Sequence, residues 1–216
     1  MKIDITVPDK LSEITLGQYQ KFLKIQNENT DERFLSSKMI EIFCELKLTD
    51  VMKLKLADVN AICAILSDMF NEKPALKKTF FMDGVEYGFI PNLEDISFGE
   101  YIDLDNYLTD WELMDRAMGV LYRPIKNRYG ERYSIEEYTA KETGYMKAMP
   151  LDAALSAVLF FYHLGIDLSM TMMNYLEHKE ETALQQFLNL EQSGVGTRQF
   201  THSLKEILQD LKISLN

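Results

Sequence analysis

Apolar residues recur along most of this chain at the i, i+3, i+4 spacing of amphipathic helices. Residues 15–26 place Leu16, Tyr19, Phe22, Leu23 and Gln26 on one side; residues 34–46 repeat the pattern with Leu35, Met39, Ile42, Phe43 and Leu46. Residues 57–70 do so with Val59, Ile62, Cys63, Leu66, Met69 and Phe70, and two further helices are expected over 98–108 and 110–121. Pro150 suits a first helical position, and residues 151–164 are apolar nearly all round, as expected of a central buried helix. The next helix is expected from Ser169 to about residue 190, stopped by Gly194 and Gly196. A last one, over 197–211, carries Phe200, Leu204, Ile207, Leu208 and Leu211 on one stripe.

Two segments have the period of a strand instead. Ile3, Ile5 and Val7 alternate with Lys2, Asp4 and Thr6 up to Pro8. Residues 78–89 hold Asp83-Gly84 between two aromatic-rich runs, the composition of a two-residue type I′ hairpin. That register sets Met82 opposite Val85 and Phe80 opposite Tyr87, and gathers Phe80, Met82, Val85, Tyr87 and Phe89 on one face. An isolated hairpin is marginal in water, so this face must pack on helices, with the N-terminal strand as a candidate third member. A further short pair is expected around Tyr129-Gly130. The fold class is therefore mainly α: a multi-helix bundle with a small β-hairpin or three-stranded antiparallel sheet. Residues 1–193 form the helical body, with its hairpin near 78–90, and 194–216 a Gly-hinged C-terminal amphipathic helix. That helix must bury its stripe on its own body or dock it on a partner.

One stretch echoes another. Glu13-Ile14-Thr15-Leu16-Gly17-Gln18-Tyr19 and Asp95-Ile96-Ser97-Phe98-Gly99-Glu100-Tyr101 match class by class, and each reads as a capping box. Two independently good helix starts, or a duplicated element, would both produce this.

Charge narrows the function classes. The 216 residues hold 23 Lys and Arg against 34 Asp and Glu, a net charge of −11, which repels phosphate backbones and argues against general nucleic-acid binding. The N-terminus lacks the apolar stretch of a signal peptide and the longest apolar run is too short to span a bilayer, so a protein made in the cytoplasm with no membrane partner is expected. Cys44 and Cys63 lie among apolar neighbours and read as small core residues.

Candidate chemistry is sparse. His163, His178 and His202 lack a second ligand at helical spacing, apart from Glu181 near His178, and no phosphate loop, nucleophile elbow or paired Cys motif occurs, so no cofactor or catalytic residue is assigned. Residues 94–115 carry eight acids (Glu94, Asp95, Glu100, Asp103, Asp105, Asp110, Glu112 and Asp115) and no base. Asp103-Leu104-Asp105 fails the calcium-loop pattern, because Tyr107 and Leu108 stand where an acid and a glycine are needed. Immediately after come Arg116, Arg123, Lys126, Arg128 and Arg132 with only Glu131 against them and Tyr122, Tyr129 and Tyr133 interleaved. Adjacent patches of opposite sign suit head-to-tail contact between like subunits. The candidate intersubunit residues are Asp103, Asp105, Asp110, Asp115, Arg116, Arg123, Arg128 and Arg132; ordinary solvated surface, or acid-base work by a carboxylate pair, are the alternatives.

The stretches Gly88-Phe89-Ile90-Pro91-Asn92-Leu93-Glu94-Asp95-Ile96-Ser97-Phe98-Gly99-Glu100-Tyr101 and Met118-Gly119-Val120-Leu121-Tyr122-Arg123-Pro124-Ile125, with Ile14-Thr15-Leu16-Gly17-Gln18-Tyr19-Gln20-Lys21-Phe22, resemble small structural proteins of tailed bacteriophages, particularly crAss-like phages of Bacteroides-type hosts. The resemblance covers about the first two-thirds of the chain. It implies a non-enzymatic virion component: a ring subunit at the portal-to-tail junction or cargo stored there, with a tail assembly chaperone as the alternative and a small hydrolase a distant third. Expected partners are like subunits and other neck, portal or tail proteins, without specific nucleic-acid binding although DNA passes nearby. An acidic wall offers no contacts that would trap the duplex.

Overall fold

The computed structural model describes residues 5–139 and 144–177. Among them are seven helices: α1 (Leu16–Glu28), α2 (Glu32–Phe43), α3 (Leu48–Val51), α4 (Leu56–Phe70), α5 (Phe98–Tyr107), α6 (Met114–Leu121) and α7 (Leu151–Glu177). Four strands, β1 (Thr79–Met82), β2 (Val85–Phe89), β3 (Tyr122–Tyr129) and β4 (Arg132–Ile135), form one antiparallel sheet in the order β1-β2-β3-β4. The fold is mainly helical with a four-stranded sheet, and it is not a plain bundle.

Local chemistry sets the helix starts. Thr15 accepts from the Gln18 amide at 3.2 Å while the Gln18 side chain takes the Thr15 amide at 2.8 Å; Ser97 and Glu100 repeat both bonds at 3.3 and 2.7 Å. Both are complete capping boxes. Their shared glycine differs in setting, since Gly17 lies against Lys147 whereas Gly99 faces open space. Asp31 caps α2 by accepting from the Arg33 and Phe34 amides.

The β1–β2 hairpin has the expected register, Met82 opposite Val85 and Phe80 opposite Tyr87. Asp83 and Gly84 have φ of 51° and 76°, the paired positive values of a type I′ turn. A β-branched residue is strained there, so Gly84→Val should cost about 1–2 kcal/mol, read as a lower urea midpoint with an unchanged slope. Phe80, Met82, Tyr87 and Phe89 form the buried face; Val85, at the turn, stays more exposed.

The neighbour of this hairpin on the β2 side is β3. Residues 5–9 form no strand, and the β2 edge is taken by β3, with Tyr87 opposite Pro124, Gly88 opposite Arg123 and Phe89 opposite Tyr122. The pair expected at Tyr129-Gly130 exists as β3–β4, closing on Tyr129 opposite Arg132. On the outer face the Tyr133 ring lies across Gly88, where any Cβ would come within 2.5 Å of it. Its hydroxyl donates to the carbonyls of Phe89 (2.9 Å) and Lys78 (3.2 Å), which holds the ring in place.

The core joins two aromatic sets. Tyr19, Phe22, Phe43, Phe70 and Trp111 interlock α1, α2 and α4, while Phe80, Tyr122 and Phe89 pack in series and Phe89 meets Phe160 and Phe161 of α7. The first three turns of α7 are buried as expected, with Leu151, Ala153, Ala154, Ala157 and Val158 excluded from solvent. The expected break between 164 and 169 is absent. Gly165 lies inside α7, and the Ser169 hydroxyl, instead of capping a new helix, bonds back to the Gly165 carbonyl at 2.8 Å. Two backbone bonds tie the start of α7 to the start of α1: Leu16 N–H to Met149 O (2.9 Å) and Leu151 N–H to Ile14 O (2.8 Å). No helix among the described residues is long and apolar enough to cross a membrane. Residues 178–216 lie outside the described residues, and with them the expected Gly194 and Gly196 hinge, the stripe of Phe200, Leu204, Ile207, Leu208 and Leu211, His178 and His202.

Candidate functional site

The acidic and basic segments contribute to two surfaces with different roles. On the inner side of α5, Glu100 is buried and its carboxylate meets the Arg123 guanidinium at 2.7 Å, with only 8% and 11% of the two side chains exposed. The capping box supplies one end of this pair and the first residues of β3 the other. Burial alone would favour the neutral acid, yet the Ser97 hydrogen bonds and the Arg123 charge hold the Glu100 carboxyl below its ordinary range. A general acid needs the opposite shift. Asp103, one turn on, accepts from the Tyr138 hydroxyl, and the Arg123 guanidinium lies 5.9 Å from the Tyr138 ring centre. Burial, reinforced by Asp103, raises the Tyr138 hydroxyl pKa.

Other candidates are engaged within the chain as well. Asp115 is buried and accepts from the Gln20 side chain at 3.2 Å; Asp110 caps the short turn Trp111–Leu113 through the Glu112 amide. Arg128 meets Glu86 at 2.7 Å and stacks over Tyr133, and Arg116 lies over Tyr107. Of the eight candidate intersubunit residues, Asp103, Asp105, Asp110, Arg116 and Arg132 are at least partly exposed and make no ion pair with described residues, and of these Asp103 and Asp110 are engaged by the hydrogen bonds above.

The second surface is outward. The first residues of β3 pair with β2, whereas Ile125, Asn127, Arg128 and Tyr129 pair only with β4, so the distal hairpin continues beyond the β2 ladder while Arg128 on Glu86 and Tyr133 over Gly88 hold its base against β2. Lys126, Arg128, Tyr129 and Arg132 are exposed along it, Tyr129 by 78%. On the outer side of α5, Phe98 is 77% exposed, and Tyr101 and Ile102, three and four residues on, continue an apolar stripe. Asp105 extends that stripe by one turn, and Glu94 and Asp95 lie exposed just before the helix. This stripe was missed in the sequence because α5 is apolar on two sides, and spacing alone does not show which side the core takes.

No group of three or more His, Cys, Asp or Glu side chains among the described residues is arranged to hold a metal. His163 is exposed on α7, and burial pushes the Cys44 thiol up to about 11, aided by the neighbouring Cys63, which keeps it protonated and unreactive at neutral pH. A depression of about 160 Å³ beside Gln20, Lys24, Asp110 and Trp111 contains no residue set for nucleophilic catalysis. Comparison of the chain with protein-family models, curated proteins and solved structures finds no match.

Proposed function

We propose that this protein is a non-enzymatic structural component of a tailed-phage virion, made in the host cytoplasm and assembled as a ring subunit at the portal-to-tail junction or as cargo stored there. The observation that carries the reading is the separation of charge on the surface. An exposed basic hairpin belongs to a chain whose net charge is −11, so each copy offers one sign to a neighbour on either side. The phage-like stretches from residue 88 to 101 and 118 to 125 support it: they build the Glu100–Arg123 pair and the root of that hairpin.

A tail assembly chaperone is the second reading. The exposed stripe of Phe98, Tyr101 and Ile102 favours it, because such a surface can shield an apolar partner before assembly. Quantitative mass spectrometry of purified particles and of infected cells separates the two. Several copies per particle are expected of a ring or cargo protein; abundance in cells with absence from particles would replace that reading with the chaperone.

A further inference from the structure

We infer that the distal β3–β4 hairpin of one copy docks on the outer face of α5 of the next copy, Tyr129 seating on Phe98, Tyr101 and Ile102 while Lys126 and Arg132 face Glu94, Asp95 and Asp105. This contact rests on the ring reading and specifies its two surfaces.

Three features select these surfaces and a second copy as occupant. First, both are exposed within one chain, so neither satisfies the other internally: Phe98 and Tyr129 are the two most exposed aromatic side chains described. Second, the signs are complementary. The hairpin carries Arg132 and Glu131 at its tip and Lys126 at the bulge further back, while the α5 side carries Glu94, Asp95 and Asp105 and no base from 94 to 115. Third, the residues that would compete for a neighbour are already engaged: Arg123 with Glu100, Arg128 with Glu86, and Asp103 with Tyr138. An apolar centre rimmed by opposite charges is the usual anatomy of a specific interface, and aromatic anchors carry most of its energy. Because the two faces differ, the contact is heterologous, and its repetition closes a ring when the rotation between copies divides a full turn and builds an open filament when it does not.

The test uses the full chain. Asn106→Cys and Glu131→Cys, exposed positions beside the contact that leave Phe98, Tyr101, Ile102 and Tyr129 in place, are prepared separately, mixed at high concentration and oxidised, with wild type run alongside to give the background from Cys44 and Cys63. Disulfide-linked dimers should form in the mixture at least tenfold above either variant alone. Lys126→Glu with Arg132→Glu in the Glu131→Cys chain should remove that yield, and Glu94→Lys with Asp105→Lys in the Asn106→Cys chain should restore it. The yield should also fall with added salt. Equal yields in the mixture and the single variants overturn the proposal. So does efficient dimerisation of Asn106→Cys alone, which would mean that α5 pairs with α5 of another copy. The outcome is separable from the virion reading: linked dimers from a protein absent from particles keep the contact and remove the phage role, whereas a particle protein that fails to link keeps the role and removes the contact.

Discussion

Replacing Arg123 with alanine should destabilise the fold by about 3–5 kcal/mol, the usual cost of leaving one member of a buried ion pair without its partner. Glu100 is 6% exposed and its other bonds come from Ser97 on the same helix turn, so nothing else neutralises it once the guanidinium is gone. A typical domain is stable by only about 5–15 kcal/mol, so the urea midpoint should fall steeply. Arg128→Ala is the internal control. Its pair with Glu86 has the same 2.7 Å separation but is more exposed, and such pairs contribute about 1 kcal/mol or less. Equal losses from the two substitutions would refute the buried-pair assignment. The pair also sets a pH dependence. The folded-state pKa of Glu100 lies below its unfolded value, so its contribution is complete above about pH 4.3 and is lost as pH falls through the folded pKa. The gap between wild type and Arg123→Ala should therefore narrow in acid.

Tyr122→Ala should cost about 3–5 kcal/mol through the cavity it opens. Tyr122 is fully buried, with its ring edge-on to Phe80 and Phe89. Its hydroxyl donates to the Lys77 carbonyl at 2.7 Å and lies 3.3 Å from that of Ala153, connecting the segment before β1 with α7. Burial raises its pKa, so it remains a donor throughout the neutral range. Tyr122→Phe keeps the ring and loses only the hydroxyl; it should cost about 1–3 kcal/mol, measured by thermal melting of both variants. If the two variants melt together, the ring's packing contributes nothing beyond the hydroxyl.

Features set by nearby residues were legible in the sequence. Asp83-Gly84 announces its turn because two adjacent positive φ values exclude most residues, and Thr15 and Ser97 announce their helices because each cap closes within three residues. What was not legible depends on long-range pairing. Beyond the short pair at Tyr129-Gly130, the first half of β3 does not read as a strand: Pro124 removes an amide, and Arg123 and Lys126 obscure any alternation until β2 is known to lie beside it. Arg123 and Glu100 appeared as members of two opposite charge runs offered to a neighbour, and only the fold brings them together inside one chain. Reversing Arg123 to Glu would therefore place two carboxylates in a buried site, so it cannot test assembly without disturbing the monomer.

The pair of backbone bonds between Ile14, Leu16, Met149 and Leu151 has a consequence for synthesis. The first of these residues leaves the ribosome 137 positions before the last, and at about 5–20 residues per second that interval is on the order of ten seconds. Until α7 emerges, the turn at Leu11–Glu13 and the start of α1 lack the helix they pack on, and Phe89 lacks Phe160 and Phe161. The nascent chain therefore carries an unfinished apolar layer until α7 is available to complete it. A ribosome stalled before residue 150 should present a protease-sensitive chain, and one stalled well past residue 177 a resistant one.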